Sequence, residues 1–192
     1  MFSPAPNARG SLKPGTLYAI AGEDDWIYYG QVDQGKKIGF FRFRSKQLVL
    51  NEEILTNTVM SRVNVVYSSI GSALRKGSWK LLGIGAIHKE LLHSLSVVQW
   101  PVGTLTVTIW TDGKKSGETR VEDPKIQDFE IIAGWDAFYH IPGRLRVDFE
   151  GDDSNTMIGG PIRRERRLKE ESARRAPNMP YHQLPPDWVP CR

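Results

Sequence analysis

At 192 residues, with 40% of them hydrophobic and 10% aromatic, the chain has material for a packed core and the length of one domain with an appendage. No apolar run approaches the roughly 18 residues of a membrane-spanning helix, so no membrane partner is expected. The net charge of +4 resides in one segment, residues 161–175, and the rest of the chain is balanced, which argues against a globally basic nucleic-acid-binding domain. The opening MFSPAPNARG has neither a basic start nor an apolar core, so it does not read as a secretory signal. The single cysteine, Cys191, has no partner for an internal disulfide, and a cytoplasmic location is expected.

In chain order, residues 1–11 are expected to be a flexible N-terminus and 12–150 a β-rich domain. Lys13 to Phe43 reads KPGTLYAIAGEDDWIYYGQVDQGKKIGFFRF. Thr16–Ala21 alternates as a strand, and Gly22–Asp25 is an acidic turn. Trp26–Val32 is a strand dense in aromatic and β-branched residues. Asp33–Gly35 is a second turn in which Gly35 is free to take a positive φ. Lys36–Phe43 is a third strand. Gly30 and Gly39 fall inside strands, where glycine marks a bulge, a bend or a close approach, and together they predict a sheet bent into a half-barrel.

Further along, Gln47–Leu50 reads as a short strand, Asn51–Thr58 as holding a helical turn, and Arg62–Tyr67 as a strand. A helix over Ser68–Lys76 closes at Gly77. Trp79–Ile84 is a strand, and Ala86–Ser94 has apolar residues at helical spacing. Ser96–Trp100 and Thr104–Trp110 are strands; Asp112-Gly113 is a strong hairpin signal joining the second of them to Glu118–Glu122. Asp128–Ala133 and Leu145–Glu150 complete a mainly antiparallel β (α+β) architecture. Gly151–Asn155 has linker composition, Pro161 opens a basic helix to about Arg175, and the proline-rich end is extended, with Trp188 docking.

Catalytic patterns are weak. His88 and His93 are five apart, off the shared helix face that a zinc pair needs. Gly83-Ile84-Gly85 lacks the third glycine of a dinucleotide loop and the acid that follows it. Asp24-Asp25 and Asp152-Asp153 read as solvated turn acids rather than cation ligands. Cys191 has no positioned base. No catalytic residue, metal or cofactor is expected, and the chain is not read as an enzyme.

The order P-G, an apolar stretch, an acidic turn, aromatic–Tyr-Gly-x-Val and Ile-Gly-Phe-Phe resembles immunity-protein family 26 of bacterial polymorphic toxin systems. Ser78-Trp79-Lys80-Leu81-Leu82-Gly83 and Val97-Val98-Gln99-Trp100-Pro101 are similar to later segments of that family, so the likeness spans roughly residues 12 to 150. The resemblance implies a small cytoplasmic protein that binds a cognate toxin domain and occludes its active site. It supplies no family active site to transfer.

The candidate contact comes from the residues themselves: Glu23, Asp24, Asp25, Trp26, Tyr28 and Tyr29. Alternation places Trp26 and Tyr28 on one face and Ile27 and Tyr29 on the other, so a large aromatic beside the acids is exposed unless both faces are covered. The alternative partner is nucleic acid, bound electrostatically through Arg163–Arg175.

Overall fold

The computed structural model describes residues 1–151 and 159–191, with Asn51 described by its backbone alone. The expected Asp152-Asp153 pair lies outside the described residues. The fold is mixed α+β and mainly β, with two sheets of six and four strands. The chain forms two compact units, Met1–His93 with Gly134–Asp152 and Ser94–Ala133 with Asp153–Arg192. The contacts group the strands within Ser94–Ala133 with the C-terminal helix; the sequence reading placed residues 12–150 in one domain.

In the first unit, β1 (Thr16–Ala21), β2 (Ile27–Val32), β3 (Ile38–Ser45), β4 (Val59–Val65), β5 (Trp79–Ile84) and β10 (Gly134–Trp135) make a curled half-barrel sheet. The strand order is β10-β4-β3-β2-β1-β5. Its helices are α1 (Asn51–Ile54), α2 (Tyr67–Lys76) and α3 (Ile141–Glu150). The strand glycines account for the curl. The β2–β3 register shifts between Tyr28 and Gly30. A Cβ at Gly30 would lie 2.6 Å from the Phe40 ring, and one at Gly39 2.2 Å from Leu91, so both positions let side chains lie on bare backbone.

Both faces of this sheet are covered. Leu17, Ala19, Tyr29, Phe41 and Ile54 form one core cluster. On the other face Tyr18 and Phe40 meet Trp79, with ring centroids 5.3 and 6.4 Å away, and Tyr28 meets Phe149 of α3 at 6.1 Å. The buried Gln31 ties the β5 exit to β1: its amide donates to Gly15 O and Ala86 O while its carbonyl accepts from His88 N–H. His88 Nδ1 in turn accepts from Glu90 N–H, capping a 3-10 turn over Lys89–Leu92 where a longer helix was expected. The N-terminal residues, expected to be free, are bonded within the unit: Phe2 N–H donates to Gly77 O and Ser11 N–H to the Tyr18 hydroxyl.

Burial pushes the Tyr18 hydroxyl up to about 12, against the opposing effect of its hydrogen bonds with Ser11. The folded chain therefore keeps this proton where the unfolded chain loses it, near pH 10. The stability that Tyr18 contributes is complete below pH 10 and is lost as pH rises towards 12. Denaturant unfolding at pH 9 and pH 11 is expected to show this fall, and Tyr18→Phe is expected to flatten it.

Four local expectations are corrected. Leu145–Glu150 is helix, not strand. LRVDFE alternates, but Ile141, Leu145 and Phe149 also recur every four residues, Arg144 pairs with Asp148 one turn on, and Gly151 ends the helix left-handed. Gln47–Leu50 forms no strand, and Asp128–Ala133 shortens to β9 (Glu130–Ile131), paired in parallel with β6 (Ser96–Gln99). The positive φ in the β2–β3 turn falls at Lys36, not Gly35, where Asp33 N–H donates to Lys37 O and the Asp33 carboxylate accepts from Lys37 N–H, closing the turn at Lys37.

The second unit has the sheet order β8-β7-β6-β9, with β7 (Thr106–Thr111) and β8 (Lys114–Arg120) joined by the expected Asp112-Gly113 turn, both residues at positive φ. Helix α4 (Ile162–Arg175) inserts Ile162 into a core of Val98, Val107, Val121 and Ile126. The C-terminal segment packs within this unit. Trp188 stacks near Trp100, and the Glu170 carboxylate accepts from both Trp188 Nε1 and Cys191 N–H. Burial pushes the Cys191 thiol up, away from the thiolate.

Candidate functional site

The acidic turn between β1 and β2 is a single tight 3-10 turn over Glu23–Asp25, closed by Gly22 N–H to Trp26 O and Trp26 N–H to Glu23 O. Asp24 and Asp25 sit at φ 51° and 59°, a left-handed region that aspartate tolerates better than bulkier residues do. The side chains of Glu23, Asp24 and Asp25 are exposed, and Trp26 is half-buried.

Cations from two neighbouring elements brace this turn. Trp26 lies under both the Arg44 guanidinium and the Lys46 ammonium, each 4.1 Å from its ring centre. Lys46 also donates to Asp24 O. From α3, Arg146 pairs with Glu23 at 3.2 Å, and Arg44 lies 4.3 Å over Phe149 and 3.8 Å from Glu150. The cation–π contacts contribute about 0.5–1 kcal/mol each at exposed sites, and the exposed ion pairs about 0–1 kcal/mol. They fix a strained turn in one shape. Asp25 has no ion pair among the described residues, so the turn offers an unpaired carboxylate on a rigid backbone.

Tyr28 and Tyr29 are placed differently from the expectation of a contact aromatic. Both are buried, because the sheet is covered on both faces and alternation exposes neither. Tyr28 reaches the turn through Arg44, and Tyr29 anchors the chain beyond β3 on the other face. Tyr29 Oη exchanges a hydrogen bond with Ser45 Oγ at 2.7 Å and accepts from Val49 N–H, and Tyr28 Oη accepts from Arg44. The solvent-facing set is thus Glu23, Asp24, Asp25 and the edge of Trp26.

The bracing residues were only partly legible. Arg44 and Lys46 alternate at the end of β3, a visible pattern, whereas Arg146 and Glu150 share a helix face only once α3 is known to be a helix. An exposed aromatic away from this turn, Tyr139, is 73% exposed and packs edge-on against Phe138 beneath Lys76. It falls in a loop without periodicity, which is why sequence pattern did not single it out.

The Arg163–Arg175 segment is part of the second unit's fold. Arg164 and Arg166 are buried, Arg163 pairs with Asp128, and Arg174 and Arg175 pair with Glu171. Arg166 donates to Gln127 and Val189 O. Much of the charge counted in the sequence is thereby engaged within the unit.

Among the described residues no cluster of His, Cys, Asp and Glu has the makings of a metal site, and no helix is long and apolar enough to cross a membrane. No family model, curated protein or solved structure matches the chain.

Proposed function

We propose that the protein binds and neutralises a cognate bacterial toxin domain by occluding its active site, and that the contact is centred on Glu23, Asp24, Asp25 and Trp26. The observation that carries this reading is the braced turn: exposed carboxylates and an aromatic edge on a backbone whose shape is set before any partner arrives. Such a surface loses little conformational entropy on docking, which is where rigid inhibitors gain affinity. Trp26 supplies the apolar anchor and the acids supply register and steering. The likeness of the Lys13–Phe43 pattern to the immunity family supports the same reading. Tyr28 and Tyr29 are buried and lie outside the proposed contact.

Coexpression with the toxin domain tests it. The wild-type chain is expected to restore growth. The double change Asp24→Lys with Asp25→Lys is expected to weaken binding to the toxin domain at least tenfold, while Tyr139→Ala leaves it unchanged. Binding that survives the charge reversal, with the fold intact by thermal unfolding, removes this turn as the contact.

A further inference from the structure

The second unit holds a cavity of about 310 Å³ that the proposed inhibition does not use. We propose that it is a binding site for a small planar aromatic carboxylate. One wall is made by Trp100 and Trp188, whose rings lie within 14° of parallel with centroids 6.1 Å apart. A third ring between them would need about 7 Å, two carbon contacts of roughly 3.5 Å. A ligand therefore lies along the indoles rather than between them. Both indole N–H groups are already committed, Trp100 to Thr104 O and Trp188 to Glu170, so this wall offers aromatic surface and no hydrogen bond.

The facing wall is one side of α4. Leu168, Lys169 and Ser172 recur there at helical spacing, with Leu184 of the C-terminal segment completing the apolar part. Glu165 at the same face is satisfied: one carboxylate oxygen accepts from Gly159 N–H at 3.2 Å and the other faces Lys169. Lys169 is not. Its ammonium is 5.1 Å from the Trp100 ring centre, its contact with Glu165 is long at 3.8 Å, and its side chain is 37% exposed. An ammonium has three donors, so it retains capacity for an anion. The Ser172 hydroxyl, one turn on, has no hydrogen-bond partner among the described residues. The volume stands at the small end of ligand pockets and accepts two fused rings with a short acid.

The probe pair is 2-naphthoate and its neutral isostere 2-naphthylmethanol, added to the full chain while the side-chain N–H signals of Trp100 and Trp188 are followed by NMR. The naphthoate is expected to shift both signals and to bind at least tenfold more tightly than the alcohol. Lys169→Met is expected to collapse that ratio, and Leu184→Trp, which fills the cavity, to abolish both interactions. Naphthoate that moves neither signal at millimolar concentration, or a wild-type ratio near one, overturns the proposal. If Lys169→Met does not fold, the wild-type ratio and Leu184→Trp decide it. The outcome is independent of toxin binding, which rests on the first unit.

Discussion

Replacing Trp79 with alanine is expected to destabilise the first unit by about 3–5 kcal/mol, the usual cost of deleting a buried tryptophan. Trp79 is 1% exposed at the start of edge strand β5. Its ring meets Tyr18 of β1 and Phe40 of β3, so one side chain joins three strands of the curled sheet. Its Nε1 donates to Ala137 O at 2.9 Å and so holds the segment that leads from β10 into α3. Alanine leaves a cavity and also an unsatisfied carbonyl. Trp79→Phe separates the two terms: it keeps most of the ring contact and loses the hydrogen bond, for an expected cost of about 1–3 kcal/mol. Amide hydrogen exchange in β1, β3 and β5 reads these changes within the unit, without assuming that both units unfold together.

Asp148→Ala is expected to cost a similar amount, about 3–5 kcal/mol, for a different reason. Arg144 and Asp148 are both buried on α3, with Nε and Oδ2 2.9 Å apart, and the guanidinium lies 4.5 Å from the Trp135 ring centre. Removing the carboxylate takes the Asp148 partner from a buried guanidinium, and that penalty exceeds what the intact pair contributes. The pair therefore sets geometry more than it adds stability. A double change, Arg144→Met with Asp148→Leu, is expected to recover most of the loss. If the double variant is no more stable than Asp148→Ala, the loss is one of packing rather than of the broken charge pair. Because α3 also carries Arg146, Phe149 and Glu150, the single change is expected to loosen the brace on the acidic turn as well.

Much of the architecture was legible because local signals agreed with the global arrangement. The alternation of Thr16–Ala21, the Asp112-Gly113 turn, the helix closed by Gly77 and the strand glycines 30 and 39 each point to one structure. The failure at Leu145–Glu150 occurred where two periods fit one stretch. LRVDFE satisfies a strand and a helix alike, and the choice was made by Pro142 in the first turn, the Arg144–Asp148 pair and Gly151. The candidate contact was half legible for a related reason. Composition marked the acids and Trp26, but whether Tyr28 and Tyr29 faced water depended on what covered each side of the sheet, which is a tertiary fact. The charge count of the C-terminal segment likewise could not tell which arginines are interior, as Arg164 and Arg166 are.

The inhibitor role proposed above stands or falls on binding to a partner protein. The direct measurement is a calorimetric titration of the full chain with a catalytically inactive form of the C-terminal domain encoded immediately upstream of its gene. The account predicts 1:1 binding with a dissociation constant on the order of nanomolar, as for dedicated inhibitor pairs, weakened at least tenfold when Asp24 and Asp25 are reversed in charge. No heat of binding to that domain, or no neighbouring gene with a toxin-like C-terminal domain, would contradict it.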